Sequence, residues 1–251
     1  MVAKPRERPL LIEDLAWPAV AALVEQGERL CLLPVGATEQ HGRHLPLATD
    51  STIATAICHQ TSILTGVPVL PTLQMTSSNA HTPKWPGTLS LAPRLFIEML
   101  VQLSVWIAAA GFTKLLILNV HGGNAGPIKV AVDEIRCAGG LQVGAINYYE
   151  LSEDIKRRIL ADGEDVHANA AETSLMLHLR EDLVLMNEVR DDPDRTIGRV
   201  FSYTVAQTSI DGLTGRPSEA SREAGAALFD LIVTTLAAKV ELAKHEVPPD
   251  L

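Results

Sequence analysis

Four segments of the chain carry carboxylate or imidazole side chains that could bind metal ions. Each lies downstream of an apolar run, and they are EQHGRHLPLATD (39–50), QMTSSNAHTPKWPGT (74–88), HGGN (121–124) and DVHANAAET (165–173). Carboxylate oxygens together with imidazole nitrogens suit Zn, Mn, Fe or Co, and no thiolate occurs in the set. A metal site built from several loops is therefore the first chemistry that the sequence suggests.

The apolar runs that precede these segments predict the strands of a parallel sheet. Continuous runs of this length are typical of strands covered on both faces, and they are 29–35, 67–73, 114–120 and 141–149. Apolar periodicity and capping residues predict helices over 51–64, 94–110, 127–138, 170–181 and 218–244. Alternating strands and helices indicate an α/β fold, in which ligands bind at the carboxyl edge of the sheet.

Six residues at that edge are candidate metal ligands, namely Glu39, His41, His44, Asp50, His121 and Glu172. Each has an ordinary explanation when it is taken alone; Asp50, for example, could simply cap the next helix. Taken together at one edge of the sheet, they favour a metal site. A carboxylate can bridge two ions about 3.5–4 Å apart, and such ions lower the pKa of a bound water from about 15.7 to about 7.

Composition limits the other functions that the chain could have. The 251 residues carry 21 basic and 30 acidic side chains, a net charge of −9, which argues against binding to nucleic acid or to an anionic membrane surface. No signal peptide or membrane span is evident, so we expect a cytoplasmic protein. Aromatic residues make up only 4% of the chain, which favours a small polar substrate over one held by stacking.

The chain reads as one domain over residues 1–251, because no linker, repeat or low-complexity tract interrupts the α/β pattern. Two long segments, 74–93 and 187–217, contain proline and glycine and show little periodicity. Loops of this length in a compact domain are usually functional or lie at an interface.

The motifs also resemble a known family. In chain order, PVGATEQHGRHLPLATD, NVHGGN, DVHANAAETS and GLTGRPSEAS are similar to segments of the creatininase (creatinine amidohydrolase) family, and the resemblance extends from about residue 29 to about residue 230. It implies a three-layer α/β/α fold with a central, mainly parallel sheet. It also implies a centre of two divalent ions (Zn, Mn or Fe) and homo-oligomers such as hexameric rings.

The resemblance implies metal-binding roles for five of these six residues and none for His44. Glu39 and His121 would hold one ion, His41 would hold the other, and Asp50 would bridge the two. Glu172 would be the last ligand, as in many relatives. His167 would be the proton shuttle, so that His167 and Glu172 are the candidate catalytic residues.

Three positions depart from the family pattern. Gly123 stands where true creatininases have a metal-binding glutamate, which argues against creatinine as the substrate. Asn169 replaces a glycine and is expected to narrow or polarise the pocket. KWPGT replaces the usual ending of the 74–93 loop, so that His81 and Trp85 are candidate substrate contacts; packing at an interface is an equally good explanation for Trp85.

The expected activity is hydrolysis of a carbon–nitrogen bond, other than an ordinary peptide bond, in a small cyclic amide, a formamide or a short peptide-like substrate. One alternative keeps the metal centre but opens a cyclic ketone or sugar-derived ring by carbon–carbon cleavage. A second alternative is a metal-bound scaffold without catalysis, which the complete set of expected groups disfavours.

Overall fold

The computed structural model describes residues 6–81 and 83–249. Its sheet has three parallel strands in the order β1-β2-β3, and these are Leu30–Val35, Lys114–Asn119 and Gln142–Asn147. The register places Leu33 beside Ile117, and Ile117 beside Ala145. Three of the four predicted strands therefore form, and they form the parallel sheet that was expected.

The fourth predicted strand, 67–73, does not form as a regular strand. The segment runs along the free edge of β1, where it makes two isolated bridges, Leu32 with Val69 and Val35 with Leu73. Pro68 and Pro71 lie within it, and proline has no backbone N–H to donate to a ladder. The prediction was right about the place of the segment, which exchanges backbone hydrogen bonds with β1 at two points, and wrong about a continuous strand.

Eight α-helices occur in the described part of the chain. They are α1 Trp17–Glu25, α2 Thr49–Thr65, α3 Pro93–Ala109, α4 Ala125–Ala138, α5 Glu153–Ile159, α6 Ala170–Arg180, α7 Val205–Thr208 and α8 Arg222–His245. All five predicted helices are present. The pattern missed α1, which has no fully buried residue, and the short helices α5 and α7.

Helices cover both faces of the sheet. Alternate side chains of a strand point to opposite faces, and β1 accordingly contributes to two separate cores. Leu30 and Leu32 belong to the core that includes residues of α2, α6 and α8. Cys31, Leu33 and Val35 belong to the core that includes residues of α3 and α4. The fold is therefore the three-layer α/β/α architecture that was predicted. None of the described helices is both long enough and apolar enough to cross a membrane.

A close contact between β1 and α2 positions the first candidate ligands. Gly36 follows β1 directly, and a Cβ atom at this residue would lie 2.4 Å from the backbone nitrogen of Ser51. Only glycine therefore lets the end of β1 approach the first turn of α2 so closely. Because Asp50 lies in that first turn, the contact brings it beside the loop that carries Glu39 and His41.

Candidate metal centre

The structure brings the five residues with implied metal-binding roles together at the carboxyl edge of the sheet. Glu39 and His41 lie in the loop after β1, Asp50 in the first turn of α2, His121 just after β2, and Glu172 in the first turn of α6. All five are buried, with at most 4% of their surface exposed. The shortest distances to Asp50 are 3.1 Å from His41 Nε2 and 3.3 Å from His121 Nδ1.

The ligand atoms fall into two overlapping groups of three that share Asp50. One group is Glu39, Asp50 and His121, and the other is His41, Asp50 and Glu172. The two oxygens of Asp50 face different histidines, Oδ1 towards His41 and Oδ2 towards His121. A third group, Glu39 with His41 and His167, also has its ligand atoms within 4.8 Å of one another. The geometry therefore resembles two adjacent cation sites that are joined by one carboxylate.

Backbone carbonyls fix the hydrogens of two of the imidazoles. His41 Nδ1 lies 3.1 Å from the carbonyl oxygen of Glu39, and His121 Nε2 lies 3.1 Å from the carbonyl oxygen of Ser77. A carbonyl oxygen only accepts, so each of these nitrogens must carry the hydrogen. His41 Nε2 and His121 Nδ1 are then the nitrogens available to a metal ion, and such a second hydrogen bond is usual for histidine ligands.

Two carboxylates of the cluster, those of Glu39 and Asp50, lack the partners that buried charges need. Both oxygens of Glu39 and Oδ2 of Asp50 are buried without a hydrogen bond, even though His121 Nδ1 lies 3.1 Å from Glu39 Oε1. Within residues 6–81 and 83–249, no lysine or arginine lies within 4.0 Å of Glu39, Asp50 or Glu172. Unpaired buried charges are costly, and bound cations would remove that cost. The residues present therefore fit a divalent metal centre.

The pKa values of the metal-free protein show the same demand for positive charge. Burial alone would lower the pKa of His41, but the carboxylates of Asp50, Glu39 and Glu172 outweigh it and raise the pKa to about 10. The pKa of His121 is likewise raised well above its ordinary value against the effect of burial, chiefly by Glu39 and Asp50. Protons then occupy ring nitrogens that a metal would bind, so metal binding releases protons.

Glu172 is held in place by two donors. The hydroxyl of Tyr148 donates to Oε1 over 3.1 Å, and the N–H of Ala168 donates to Oε2 over 2.6 Å. Ala168 adopts a φ of +50°, a left-handed conformation that costs a non-glycine residue about 1 kcal/mol or more. Burial is the main cause that raises the pKa of Glu172 to about 7.

Gln40, His81 and His167 form a second row of side chains against Glu39. His81 Nε2 lies 3.4 Å and His167 Nδ1 lies 3.6 Å from Glu39 Oε1. Gln40 Nε2 lies 3.1 Å from His81 Nδ1 and 2.9 Å from His167 Nε2. Burial is the main cause that lowers the pKa of His81 to about 4 and that of His167 well below its usual value, so both rings are neutral.

A small cavity of about 90 Å³ opens beside the cluster. Its lining includes Glu39, Asp50, His121, His167 and Glu172, together with Gly122, Gly123 and Asp165. Sequence reasoning did not single out Asp165, whose pKa is raised by burial and by the nearby carboxylates of Asp194 and Glu39.

Comparison with known proteins agrees with this geometry. A model of the creatininase family, described as creatinine amidohydrolase, matches residues 13–240. The chain belongs to the creatininase family. The creatinine amidohydrolase of Pseudomonas putida is 29% identical, over 96% of this chain and 99% of the relative. A mycofactocin precursor peptide peptidase from Mycolicibacterium smegmatis is 30% identical, over 84% of each chain. A 3-dehydro-scyllo-inosose hydrolase from Thermotoga maritima is 31% identical over 60% of this chain and 50% of the relative.

Solved creatininase structures share the fold. A crystal structure of creatinine amidohydrolase matches 95% of this chain and 99% of its own with a TM-score of 0.82 and 29% identity. Two further matches at 28% identity are described as a mutant creatininase of Zn-Zn type and as creatininase Mn, with TM-scores of 0.82 and 0.81. These findings confirm the predicted family, fold and hydrolase class, and they support a divalent metal.

Gly123, the first departure from the creatininase family pattern, lies against a metal-ligand candidate. A Cβ atom at this position would lie 2.4 Å from His121 Nε2 and 2.7 Å from the carbonyl oxygen of Ser77. A side chain here would therefore displace the His121 ring from its hydrogen bond. Glu172, by contrast, brings its carboxylate beside His41 and Asp50.

Asn169, the second departure, does not face the pocket as predicted. It is the N-cap of α6, where its side-chain oxygen accepts from the backbone N–H of Glu172 over 3.0 Å. Its amide nitrogen donates to the carbonyl oxygen of Ile159 and to Asp162 Oδ1. The prediction that Asn169 narrows or polarises the pocket is wrong, because its oxygen caps α6, its nitrogen bonds to Ile159 and Asp162, and it does not line the cavity of the described structure.

At the third departure, in the 74–93 loop, His81 and Trp85 lie in different surroundings. His81 is buried beside Glu39, whereas Trp85 is half-buried and stacks under the ammonium group of Lys84, 4.4 Å from the ring centroid. Lys84 in turn donates to the carbonyl oxygen of Ser209 over 3.1 Å. These contacts connect the 74–93 and 187–217 loops. The roles of His81 and Trp85 as substrate contacts stay predictions.

Proposed function

We propose that the protein is a binuclear metal-dependent amidohydrolase that cleaves a carbon–nitrogen bond in a small polar substrate. The observation that carries the proposal is the sharing of Asp50 between two three-ligand groups, in which both oxygens of Glu39 and Oδ2 of Asp50 are buried without a hydrogen bond. Glu39 and His121 would hold one divalent ion, His41 and Glu172 would hold the other, and Asp50 would bridge them. Zn, Mn or Fe would suit this set of oxygen and nitrogen ligands.

The bound ions would supply a water ionised near neutral pH and would polarise the substrate carbonyl. The side chains of the chain do the rest of the work. Tyr148 and Ala168 orient Glu172, and the carbonyl oxygens of Glu39 and Ser77 orient His41 and His121. The buried walls of the cluster exclude bulk water, which strengthens every charge interaction inside it.

His167 is the group placed to act at the substrate or at the leaving group. It lines the cavity, and its Nδ1 lies on the same side as Glu39. The family resemblance assigns it proton transfer. The direction in which it can act depends on whether Nδ1 carries a hydrogen or a lone pair.

The substrate class follows from the size and polarity of the site. A cavity of about 90 Å³ admits only a small group next to the cluster, so a cyclic amide, a formamide or the end of a short peptide fits better than a bulky ring system. Creatinine itself is not proposed, because Gly123 leaves the centre without the glutamate that is expected of true creatininases.

Ring opening of a cyclic ketone is a second candidate function. The observation that favours it is the similarity to the 3-dehydro-scyllo-inosose hydrolase of Thermotoga maritima. Such a reaction would use the same centre but would release no amine. The product therefore separates the two candidates.

The test combines metal analysis with a substrate panel. Purified protein loaded with Zn or Mn should hold two ions per chain and should release ammonia or an amine from some cyclic amides or formamides. Asp50→Asn should lose both metal and activity, while the matched change Asp230→Asn on the exposed side of α8 should lose neither. One ion or none per chain in active protein would refute the binuclear proposal, and turnover of cyclic ketones alone would favour ring opening.

Homo-oligomerisation is a further part of the proposal, and it rests on the family resemblance. Light scattering on the purified chain tests it directly. A mass equal to that of one chain would contradict it.

A further inference from the structure

We propose that Gln40 is a positioning residue that fixes the hydrogens of His81 and His167, so that both rings present an N–H group towards Glu39. Gln40 is buried, with 3% of its surface exposed, and it lies between the two ligand candidates Glu39 and His41. An amide side chain is a poor metal ligand beside these two. Its hydrogen bonds nevertheless determine what the neighbouring imidazoles can do.

The orientation of the Gln40 amide is set by two backbone groups. Its Oε1 accepts from the N–H of Gly42 over 3.1 Å, and its Nε2 donates to the carbonyl oxygen of Gly212 over 2.8 Å. If the amide were reversed, its NH₂ group would face the N–H of Gly42 and its oxygen would face the carbonyl oxygen of Gly212. Neither pair could form a hydrogen bond. Gly212 has a φ of +78°, and a Cβ atom there would lie 2.2 Å from Gln40 Oε1, so only glycine permits this approach.

The amide nitrogen then faces two imidazole nitrogens with one remaining hydrogen. These are His167 Nε2 at 2.9 Å and His81 Nδ1 at 3.1 Å. A hydrogen on either ring nitrogen would point at a group that only donates. Both nitrogens are therefore bare and share the remaining amide hydrogen. In a neutral imidazole the hydrogen must then lie on the other nitrogen, which is Nδ1 of His167 and Nε2 of His81.

The four imidazoles near Glu39 thus divide into two pairs of opposite function. His41 and His121 turn a bare nitrogen to the centre because backbone carbonyls accept their other N–H. His81 and His167 turn an N–H to the centre because the Gln40 amide donates to their other nitrogen. The group of Glu39, His41 and His167 is consequently no metal site, although its atoms are close enough for one.

The two N–H groups have different targets. His167 lines the cavity, so its N–H can donate to an oxygen of a bound substrate. His81 is not among the residues that line the cavity in the described structure, and its N–H faces Glu39 Oε1 at 3.4 Å without forming a hydrogen bond. This step rests on the proposed function for the identity of the substrate oxygen. His167 then stabilises the substrate as a neutral hydrogen-bond donor and does not begin the reaction as a base.

Nitrogen NMR of the histidine rings tests the inference without an activity assay. Protein labelled with ¹⁵N in its histidines gives separate signals for bare and hydrogen-bearing ring nitrogens, and His81→Asn and His167→Asn variants assign the two rings. In wild-type protein, both metal-free and loaded with Zn, we expect hydrogen on His167 Nδ1 and on His81 Nε2. Hydrogen on His167 Nε2 or on His81 Nδ1 would overturn the inference.

A matched pair of variants tests the part played by Gln40. Gln40→Glu replaces the donor by an acceptor of the same shape, and the hydrogens of His81 and His167 should move to the nitrogens that face it. Gln102→Glu, the same change on the exposed face of α3, should leave both rings unchanged. Gln40→Met, which removes the donor without adding charge, should give mixed signals and serves if the glutamate variant does not fold. Unchanged rings in folded Gln40→Glu or Gln40→Met would overturn the role of Gln40.

These outcomes are separable from the failure of the proposed function. The expected ring hydrogens in a protein that cleaves no amide would leave the inference standing and remove the proposed activity. An active amidohydrolase with hydrogen on His167 Nε2 would do the reverse.

Discussion

Two sets of buried acids in this molecule are built in opposite ways. At the metal centre, Glu39 and Asp50 have buried oxygens without hydrogen-bond partners. In the 187–217 loop, Asp192 is equally buried but accepts from the hydroxyl of Ser209 and the backbone N–H of Ile210, each over 2.7 Å. Arg195 adds an ion pair to the same carboxylate. Burial alone therefore does not distinguish these acids, and what separates Glu39 and Asp50 from Asp192 is the lack of donors to their buried oxygens.

Two further aspartates near Asp192 also accept hydrogen bonds that hold loops together. Asp194 accepts from the backbone N–H of Glu164 and from Thr196, and Asp162 accepts from the backbone N–H groups of Ala170 and Arg216. These aspartates connect the 187–217 segment to the loop before α6. The described contacts of this loop are structural, and they support the start of the helix that carries Glu172.

The largest expected effect comes from removing one charge at the metal centre. Asp50→Asn keeps the shape of the side chain but takes the shared charge away from both ion sites. We expect activity to fall at least about a thousandfold, roughly 4 kcal/mol of transition-state stabilisation, and bound metal to fall below two ions per chain. Elemental analysis and amine release measure the two effects.

Asp192→Asn is the matched control for Asp50→Asn. Asp192→Asn makes the same chemical change at an acid that has its donors, and it should leave metal content and turnover per folded molecule close to wild type. If the Asp192 variant also lost its metal, the division between the two sets of acids would be wrong.

Removal of the metal is expected to have the next largest effect. Ions that bind the folded chain stabilise it, by roughly 2.7 kcal/mol when the free metal is about 100-fold above its Kd. Treatment with a chelator should therefore lower the unfolding midpoint of wild-type protein and of Asp192→Asn by similar amounts. The chelator should lower the unfolding midpoint of Asp50→Asn less, because this variant holds less metal, as measured by urea denaturation followed by circular dichroism.

The effect of Asp192→Asn on stability should be smaller and should depend on pH. Burial alone would raise the pKa of Asp192, but its bonds to Ser209, Ile210 and Arg195 outweigh it and lower the pKa below the usual range. A carboxylate with a lowered folded-state pKa stabilises the fold at pH values above its unfolded value of about 3.9, and this contribution is lost as the pH falls through the folded value.

We therefore expect Asp192→Asn to lower the free energy of unfolding by about 2 kcal/mol at pH 7, because one of its donors then faces an amide N–H. The difference from wild type should shrink below about pH 4. Urea titrations at pH 7, 5 and 3.5 measure it, with the exposed Asp133→Asn as control. A difference that stays constant with pH would show that the charge of Asp192 plays no part.

The sequence predicted the elements and candidate ligands better than it predicted their partners. Continuous apolar runs identified β1, β2 and β3, and a ligand such as His121 is recognisable because its chemistry belongs to the side chain itself. The prediction of a regular strand over 67–73 failed because two prolines removed backbone N–H donors from an otherwise strand-like pattern. Gln40 and Tyr148 were missed because an amide or a hydroxyl becomes informative only when its neighbours are known.

Asn169 is a second polar residue whose partners the sequence analysis did not predict. Its position within a recognised motif suggested a role in the pocket, yet it caps α6 with bonds to the backbone of Ile159 and Glu172. A polar residue three positions before Glu172 is also a common N-cap signal. Local capping chemistry would have predicted the role of this residue more accurately than its place in the motif did.

Tyr148→Phe gives the smallest expected effect. It tests whether a hydrogen-bond donor to an acid of the proposed metal centre affects metal binding. Glu172 belongs to the proposed metal centre, but it also has the donors that Glu39 lacks, since the Tyr148 hydroxyl donates to its Oε1. Removing that hydroxyl should weaken metal binding about tenfold, or about 1.4 kcal/mol, because Glu172 loses one of the two bonds that orient it. The half-buried neighbour provides the control, since Tyr149→Phe removes a hydroxyl from the next residue without touching Glu172. Competition with a fluorescent chelator measures both affinities. Equal affinities in the two variants would mean that metal coordination alone orients Glu172.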